Sequence, residues 1–522
     1  YDSDEGRLRE LFDSLEKKAR RQLEILMAFV RLSDYSPGRK VSLRRSALLR
    51  ETGEGTAALE GLVRKGVFDV AVRPVDRVFD REFDGAPRSI TFSTAQENTL
   101  EVIRDHFRDK EVVLLHGVTS GGKTEMYVQL IRETIGRGRQ AIYLLPEIAL
   151  STQVITRLRK YFGNRIGIYH SRLSDQERAE VWKHSLEGHY DVILGARSAL
   201  FLPLADPGLI IVDEEHDYSF KQVDPAPRYN ARDAAVYLAH LSHGNCLLGS
   251  ATPSIESYFN AKQGKYGLAE LFVRYGEMEM PANVVVDIRN ELREGKMKSH
   301  FSSVLLQHLE QALENREQAI LFQNRRGFSL RIECDTCHWM PACKNCDVTL
   351  VYHKQINQLR CHYCGYVMQV PAVCPDCKGT SLRMKGFGTE RVEEDLRGLF
   401  PGARITRMDL DTTRSRNAHQ RIINSFEERQ IDFLVGTQMV TKGLDFDHVS
   451  TVCILNADNM LSYPDFRSQE RSFQLMAQVS GRAGRRNKQG TVIIQTWQPS
   501  HPVITQVVNN DYNSMYISQL SD

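Results

Sequence analysis

The segment HGVTSGGKT, residues 116–124, follows the apolar run Val112-Val113-Leu114-Leu115. Gly117 to Thr124 fits the spacing G-x-x-x-x-G-K-[ST], and that spacing has a physical use. Glycines such as Gly117 and Gly122 let backbone N–H groups point into one small concavity, and the helix that follows adds its dipole. Such a loop holds phosphate. Lys123 would reach the β- and γ-phosphates of ATP, and the Thr124 hydroxyl would sit on Mg²⁺. The bland alternative is a glycine-rich turn. A phosphate loop also needs carboxylates, and IIVDEEH, residues 210–216, supplies an apolar strand ending in Asp213 and Glu214. Asp213 would hold Mg²⁺ through water, and Glu214 would polarise the attacking water. The chemistry implied is nucleotide hydrolysis.

A second group of residues points to metal. Eight of the ten cysteines lie between 334 and 377 as four Cys-x-x-Cys pairs: Cys334/Cys337, Cys343/Cys346, Cys361/Cys364 and Cys374/Cys377. Each such turn can present two thiolates to a tetrahedral Zn²⁺ at ~2.3 Å, so eight thiolates make two Cys₄ sites with no open position. These sites are expected to be structural. Disulfides are the alternative, disfavoured because nothing in the chain suggests secretion. Spacing alone leaves the pairing open. The hairpin-like stretch VTLVYHKQINQLRC favours Cys343/Cys346 with Cys361/Cys364, which leaves the outer pairs for the second ion. His338, His353 and His362 are surplus as ligands. Trp339, Tyr352 and Tyr363 form either a wedge or the small core of this module. Cys246 and Cys453 stand alone in apolar surroundings and read as buried core residues.

These groups must be held by elements, and the pattern of the 522-residue chain says which. Hydrophobic content of 41% and charged content of 26% are those of an ordinary globular protein. The net charge of +2 requires any basic surface to be local. No apolar run approaches the ~18 residues of a membrane helix, so no membrane partner is expected. The chain does not open with Met, which reads as a fragment or a processed chain. Residues 1–83 alternate helical patterns, a glycine turn and the strand-like FDVAVRPV, a winged-helix-like order in which Arg44, Arg45 and Arg64 are basic. This module either reads DNA or simply packs. Residues 84–90 look like a linker. From 91 to 275 and again from 276 to 522, short β-rich runs alternate with helices, which means parallel sheets covered on both faces. The cysteine module, 331–380, interrupts the second set, splitting it into 276–330 and 381–522. The fold class expected is α/β, with two tandem lobes, an N-terminal winged-helix-like module and a zinc insertion in the second lobe.

The ordered series GxxxxGKT, DEEH, GSATP (249–253), VGTQMVTKG (435–443) and QVSGRAGR (478–485) resembles the motifs of superfamily-2 helicases, whose lobes are RecA-like. LPEIAL, YHS, GARSALF, DEEHDYSFKQ, NRRGF, GFGTE, DFRSQER and the cysteine insert together resemble, more narrowly, the PriA family of primosomal replication-restart helicases. The resemblance covers roughly 91–522. It implies an ATP-dependent DNA helicase, moving 3′ to 5′, that remodels stalled forks for primosome assembly. The residues alone leave open a general translocase or RNA helicase, or a DNA-binding zinc scaffold. By resemblance Lys123, Thr124, Asp213 and Glu214 form the hydrolytic site, Ser250 and Thr252 couple it to DNA, and Gln478, Arg482 and Arg485 reach across the inter-lobe cleft. Transition-state charge gives the same expectation for the arginines, since an arginine finger is worth on the order of 10³–10⁵ in rate. Gln96 resembles an adenine-reading glutamine; a capped helix start is the other reading. Arg228, Tyr229 and Arg232, in the aromatic loop after DEEH, are candidates for strand contact. The tryptophan usual in that loop is absent here, which weakens base stacking. The family's pairing of the cysteines is the nested one. Implied partners are single-stranded and forked DNA, loader proteins and single-stranded-DNA-binding protein, in a bacterial cytoplasm at the nucleoid. The family's N-terminal 3′-end-binding domain and C-terminal domain are not recognisable in the sequence.

Overall fold

The strand carrying Val112-Val113-Leu114-Leu115 is buried on both sides, as a run with no polar alternation must be. In the computed structural model it is β1 (Val112–Gly117), the first of seven strands of a parallel sheet. The others are β2 (Gln140–Leu144), β3 (Ile166–Tyr169), β4 (Val192–Gly195), β5 (Pro207–Asp213), β6 (Asn245–Ser250) and β7 (Gly267–Leu271), ordered β3-β4-β2-β5-β6-β1-β7. Alternate residues feed opposite faces. Val112 and Leu114 join one apolar cluster, and Val113 and Leu115 join another beneath Leu100, Met126 and Ile131. The order makes β5, β6 and β1 neighbours. In register, Asp213 lies beside Gly249, and His116 beside Ser250. The carboxyl ends of these three strands therefore deliver the phosphate loop, DEEH and GSATP to one edge.

The second lobe begins with β8 (Ala282–Asp287) and β9 (Gln318–Phe322). An insertion follows, with β10 (Arg331–Cys334), β11 (Val351–His353), β12 (Gln358–Arg360), β13 (Val367–Gln369) and β14 (Leu382–Lys385). β10 and β14 pair antiparallel, which closes the insertion at its base. The lobe resumes with β15 (Ile405–Met408), β16 (Phe433–Gly436), β17 (Val449–Ile454) and β18 (Thr491–Thr496). Its parallel sheet runs β15-β16-β9-β17-β18-β8. The apolar cluster of the first lobe continues into the second through Tyr258, Phe473 and Tyr512.

The structure describes residues 11–16, 19–33, 43, 48, 51–52, 56–68, 90–147, 152–171, 173–274, 280–323, 331–337, 339–346, 349–353, 357–361, 364–385, 388–409, 412–413, 418–440, 446, 448–463, 465–484 and 489–521. The chain divides into two compact units, Tyr1–Arg77 and Val78–Asp522. In the first, helices Arg20–Leu32 and Thr56–Arg64 enclose Leu15, Ile25, Leu26, Leu59 and Leu62. Arg44, Arg45, the strand expected after Phe68 and most of the expected linker lie outside the described residues. No helix among those described is long and apolar enough to cross a membrane.

Candidate functional site

Gly122 has φ +83° and caps the helix Lys123–Gly136 without any side-chain hydrogen bond. The first N–H groups of that helix are thus left to the loop's concavity, where an anion would satisfy them. The Lys123 ammonium donates to the carbonyls of Gly117 at 2.7 Å and Val118 at 3.2 Å, folding its tip back over the loop. Gln96 supports the loop from behind. Its Nε2 donates to the Gly121 carbonyl at 3.0 Å and its Oε1 accepts from Ser93 N at 2.9 Å in a capping box. With both polar atoms so engaged and the side chain buried, Gln96 makes the capped helix start of the two readings.

Asp213 ends β5 half-buried. Its Oδ1 accepts from the Tyr127 hydroxyl at 3.0 Å and from Glu214 N at 3.1 Å; its Oδ2 accepts from the Tyr143 hydroxyl at 3.1 Å. Burial, with the Glu214 charge beside it, pushes Asp213 up to about 6, against the pull of Lys123. Neither tyrosine was singled out from the sequence, where both read as core.

Glu214 turns the chain with φ +52°, which throws its carboxylate toward the cleft. Lobe 2 meets it there. Gln478, on the helix Ser468–Ser480, donates to Glu214 Oε2 at 3.1 Å and lies 2.8 Å from His216 Nε2. The carboxylate fixes the amide orientation, so His216 Nε2 accepts and its Nδ1–H donates to Ser250 Oγ at 2.7 Å. Ser250 Oγ also accepts from Thr252 N at 2.9 Å. One hydrogen-bonded path therefore runs from lobe 2 through DEEH to GSATP. Just beyond Gln478, Gly481 lies against the phosphate loop: a Cβ there would sit 3.0 Å from Thr119 Oγ1. Arg482 is partly exposed on this arm, and Arg485 lies outside the described residues.

The residues expected to touch a strand divide. Arg228 is exposed and Tyr229 half-buried, its ring edge-on to Phe201 at 4.9 Å. Arg232 is turned inward. Its guanidinium bonds Ser254 Oγ at 2.6 Å and Glu215 at 3.2 Å, with the Glu215 carboxylate wholly buried. A buried carboxylate needs such a partner, and Arg232 is its counter-ion here. Ser250 and Thr252 are also buried, which suits coupling and rules out direct strand contact in this arrangement.

The cysteines assemble as two groups of four, Cys334, Cys337, Cys374 and Cys377, and Cys343, Cys346, Cys361 and Cys364. The Sγ separations Cys334–Cys377, Cys337–Cys374 and Cys343–Cys364 are each 3.5 Å. That is far longer than a disulfide and near the roughly 3.8 Å edge of a tetrahedron with ~2.3 Å zinc–sulfur bonds. The pairing is the nested one, and the donor set fits zinc. Tyr352 packs on the cluster of Ile332, Leu350 and Leu359, as core. Tyr363, His338 and His362 lie outside the described residues.

Comparison with known proteins bears on this arrangement. Residues 2–75 match the model "Winged helix domain, PriA helicase, Bacteroidota", 93–260 "DEAD/DEAH box helicase", 343–368 "PriA DNA helicase Cys-rich region (CRR) domain" and 387–487 "Helicase conserved C-terminal domain". The replication restart protein PriA of Rickettsia felis is 35% identical over 87% of this chain and 69% of its own length. The chain belongs to the PriA family. The PriA of Bacillus subtilis is 40% identical over 98% of this chain and that of Synechocystis 41% over 91%. The chain spans 63% and 58% of the lengths of those two PriA relatives.

Proposed function

We propose that this PriA-family chain is an ATP-dependent DNA helicase that moves 3′ to 5′ and remodels stalled replication forks for primosome reloading. The observation that carries the motor reading is Gln478, a lobe 2 residue bonded at once to the water-polarising Glu214 and to the His216–Ser250 path. Hydrolysis then depends on lobe closure, and closure can do mechanical work. Lys123 and the helix N-terminus bind phosphate. Thr124 and Asp213 offer the hard oxygen donors that would hold magnesium, whose charge would offset that of the phosphates. Gln478 holds Glu214 in register with the attacking water. Arg482 follows Gly481 on the arm that reaches the phosphate loop. Arg482 and, by family resemblance, Arg485 would stabilise charge on the transferred group. Single-stranded and forked DNA, loader proteins, single-stranded-DNA-binding protein and a nucleoid location in the bacterial cytoplasm are part of this proposal, supported by family membership. The division into a winged-helix module, two lobes and a zinc insert is the working domain map.

The test is steady-state ATP hydrolysis with no nucleic acid, single-stranded DNA, forked DNA or RNA. Stimulation by DNA and not by RNA, abolished in Lys123→Ala, is expected. Equal stimulation by RNA would move the reading to a general nucleic-acid motor. Unwinding that survives Lys123→Ala would leave only a DNA-binding zinc scaffold.

A further inference from the structure

Two tyrosines meet at Asp213 from different elements. Tyr127 lies one turn beyond Lys123 on the phosphate-loop helix, on the same helix face as that lysine. Tyr143 lies on β2, which pairs with β5. Both rings are fully buried, edge-to-face at 5.5 Å. Phenylalanine would fill the same space without the cost of burying a hydroxyl. Instead both hydroxyls point at one carboxylate, one on each oxygen. Room is made for them: a Cβ on Gly249, opposite Asp213 in β6, would sit 1.9 Å from the Tyr127 hydroxyl oxygen. Burial holds both phenols well above their ordinary range, so they stay protonated donors.

We propose that Tyr127 and Tyr143 are positioning residues for magnesium. Together they fix the Asp213 carboxylate, one hydroxyl on each oxygen. The proposal rests on the reading of this site as a magnesium–nucleotide site. Oδ1, with two donors on it, is spent on anchoring. Oδ2 carries only the Tyr143 hydroxyl and keeps a lone pair for a water on the ion. The carboxylate is thus held before any ion arrives, so the ion meets a formed ligand. Outer partners of this kind typically change metal affinity or activity about 10–100-fold when removed.

The test uses the whole chain and the variants Tyr143→Phe and Tyr127→Phe, which keep the rings. A fluorescent ATP analogue is titrated with no magnesium added, and then at fixed nucleotide with magnesium varied. Thermal melting checks that each variant is folded, and either variant alone decides. Nucleotide affinity without magnesium is expected to stay within about twofold, while half-saturating magnesium rises about tenfold or more in Tyr143→Phe and by less in Tyr127→Phe. Superimposed magnesium curves would overturn the proposal. So would an equal loss of affinity with and without magnesium, because that is the mark of packing alone. A wild-type chain whose nucleotide binding ignores magnesium would overturn the nucleotide-site reading itself, and this proposal with it.

Discussion

Gln478 makes the most of a single side chain, since one amide group contacts both Glu214 and His216 across the cleft. Gln478→Ala removes a hydrogen bond to a charged group, an interaction worth roughly tenfold or more in an equilibrium or a rate. It is expected to lower DNA-stimulated kcat by about that factor while nucleotide affinity, set by the phosphate loop, changes little. A proportionate loss of affinity in a binding titration would contradict this. His116 gives the residue scale its pH dependence. It sits buried before the phosphate loop with Tyr258, Phe272 and Tyr512 edge-on around it, and burial pushes it down to about 4. Its ring is neutral in the folded chain, whereas in the unfolded chain it protonates below its ordinary 6.5. Between those values the unfolded state binds more protons, so folding stability is full above pH 6.5 and falls as pH drops toward 4. From pH 7 to pH 5 this group alone accounts for about 2 kcal/mol. His116→Phe is expected to flatten the pH dependence of the denaturant midpoint over that window. An unchanged slope would remove His116 as its source.

At the scale of elements, the joint between lobes is built by two short segments. Arg467 pairs with Glu256 across the cleft, and the buried Glu470 accepts from Ile255 N at 3.1 Å. Gln474 Nε2 and the Tyr512 hydroxyl donate to the Pro253 carbonyl at 3.2 and 3.0 Å. All four contacts grip Pro253 to Glu256, where GSATP runs into the helix Ile255–Lys262. Glu470→Gln keeps shape and acceptor but removes the charge that faces Arg467. It is expected to cost little in melting temperature and more in DNA stimulation, read by comparing hydrolysis with and without DNA; a large melting shift with unchanged stimulation would make the joint merely structural. Much of this scale was legible in the sequence. Unbroken apolar runs gave the parallel strands, and the spacing of glycines and carboxylates gave the two loops that end β1 and β5. The joint was not legible, because a charged residue in DFRSQER or after GSATP reads the same whether it meets solvent or the other lobe. The Arg232–Glu215 pair was hidden for the same reason: Glu215 lies in DEEH, where the motif's chemistry drew attention to its neighbours. Tyr127 and Tyr143 carried no signal, since a tyrosine in an apolar run looks like core until its hydroxyl is seen to have a target.

At the scale of the whole molecule the zinc insert is a separate small core set on a large one. Its cluster of Ile332, Leu350, Leu359, Cys343 and Cys361 shares no member with the three clusters of the lobes. With so little apolar surface of its own, the insert must draw its folding energy from metal. Yet it is not isolated, because Thr349 Oγ1 donates to the Ser462 carbonyl at 2.6 Å. Ser462 precedes the segment whose Asp465 bonds Arg471, and the Arg471 guanidinium lies 4.9 Å over the exposed Tyr218 ring of the loop after DEEH. A mechanical path thus leads from the insert to the aromatic loop without passing through the phosphate site. Titration with a mercurial thiol reagent is therefore expected to release zinc from both four-cysteine groups while hydrolysis without DNA stays within about twofold, since the lobes keep their own cores. DNA stimulation should fall, because the segment that bears on Tyr218 loses its outer support. The Cys343→Ser and Cys361→Ser pair, which disables one zinc site, should reproduce the loss. Basal hydrolysis falling in step with zinc release would mean instead that the insert supports the motor fold itself, and unchanged DNA stimulation would mean that the path through Ser462 transmits nothing.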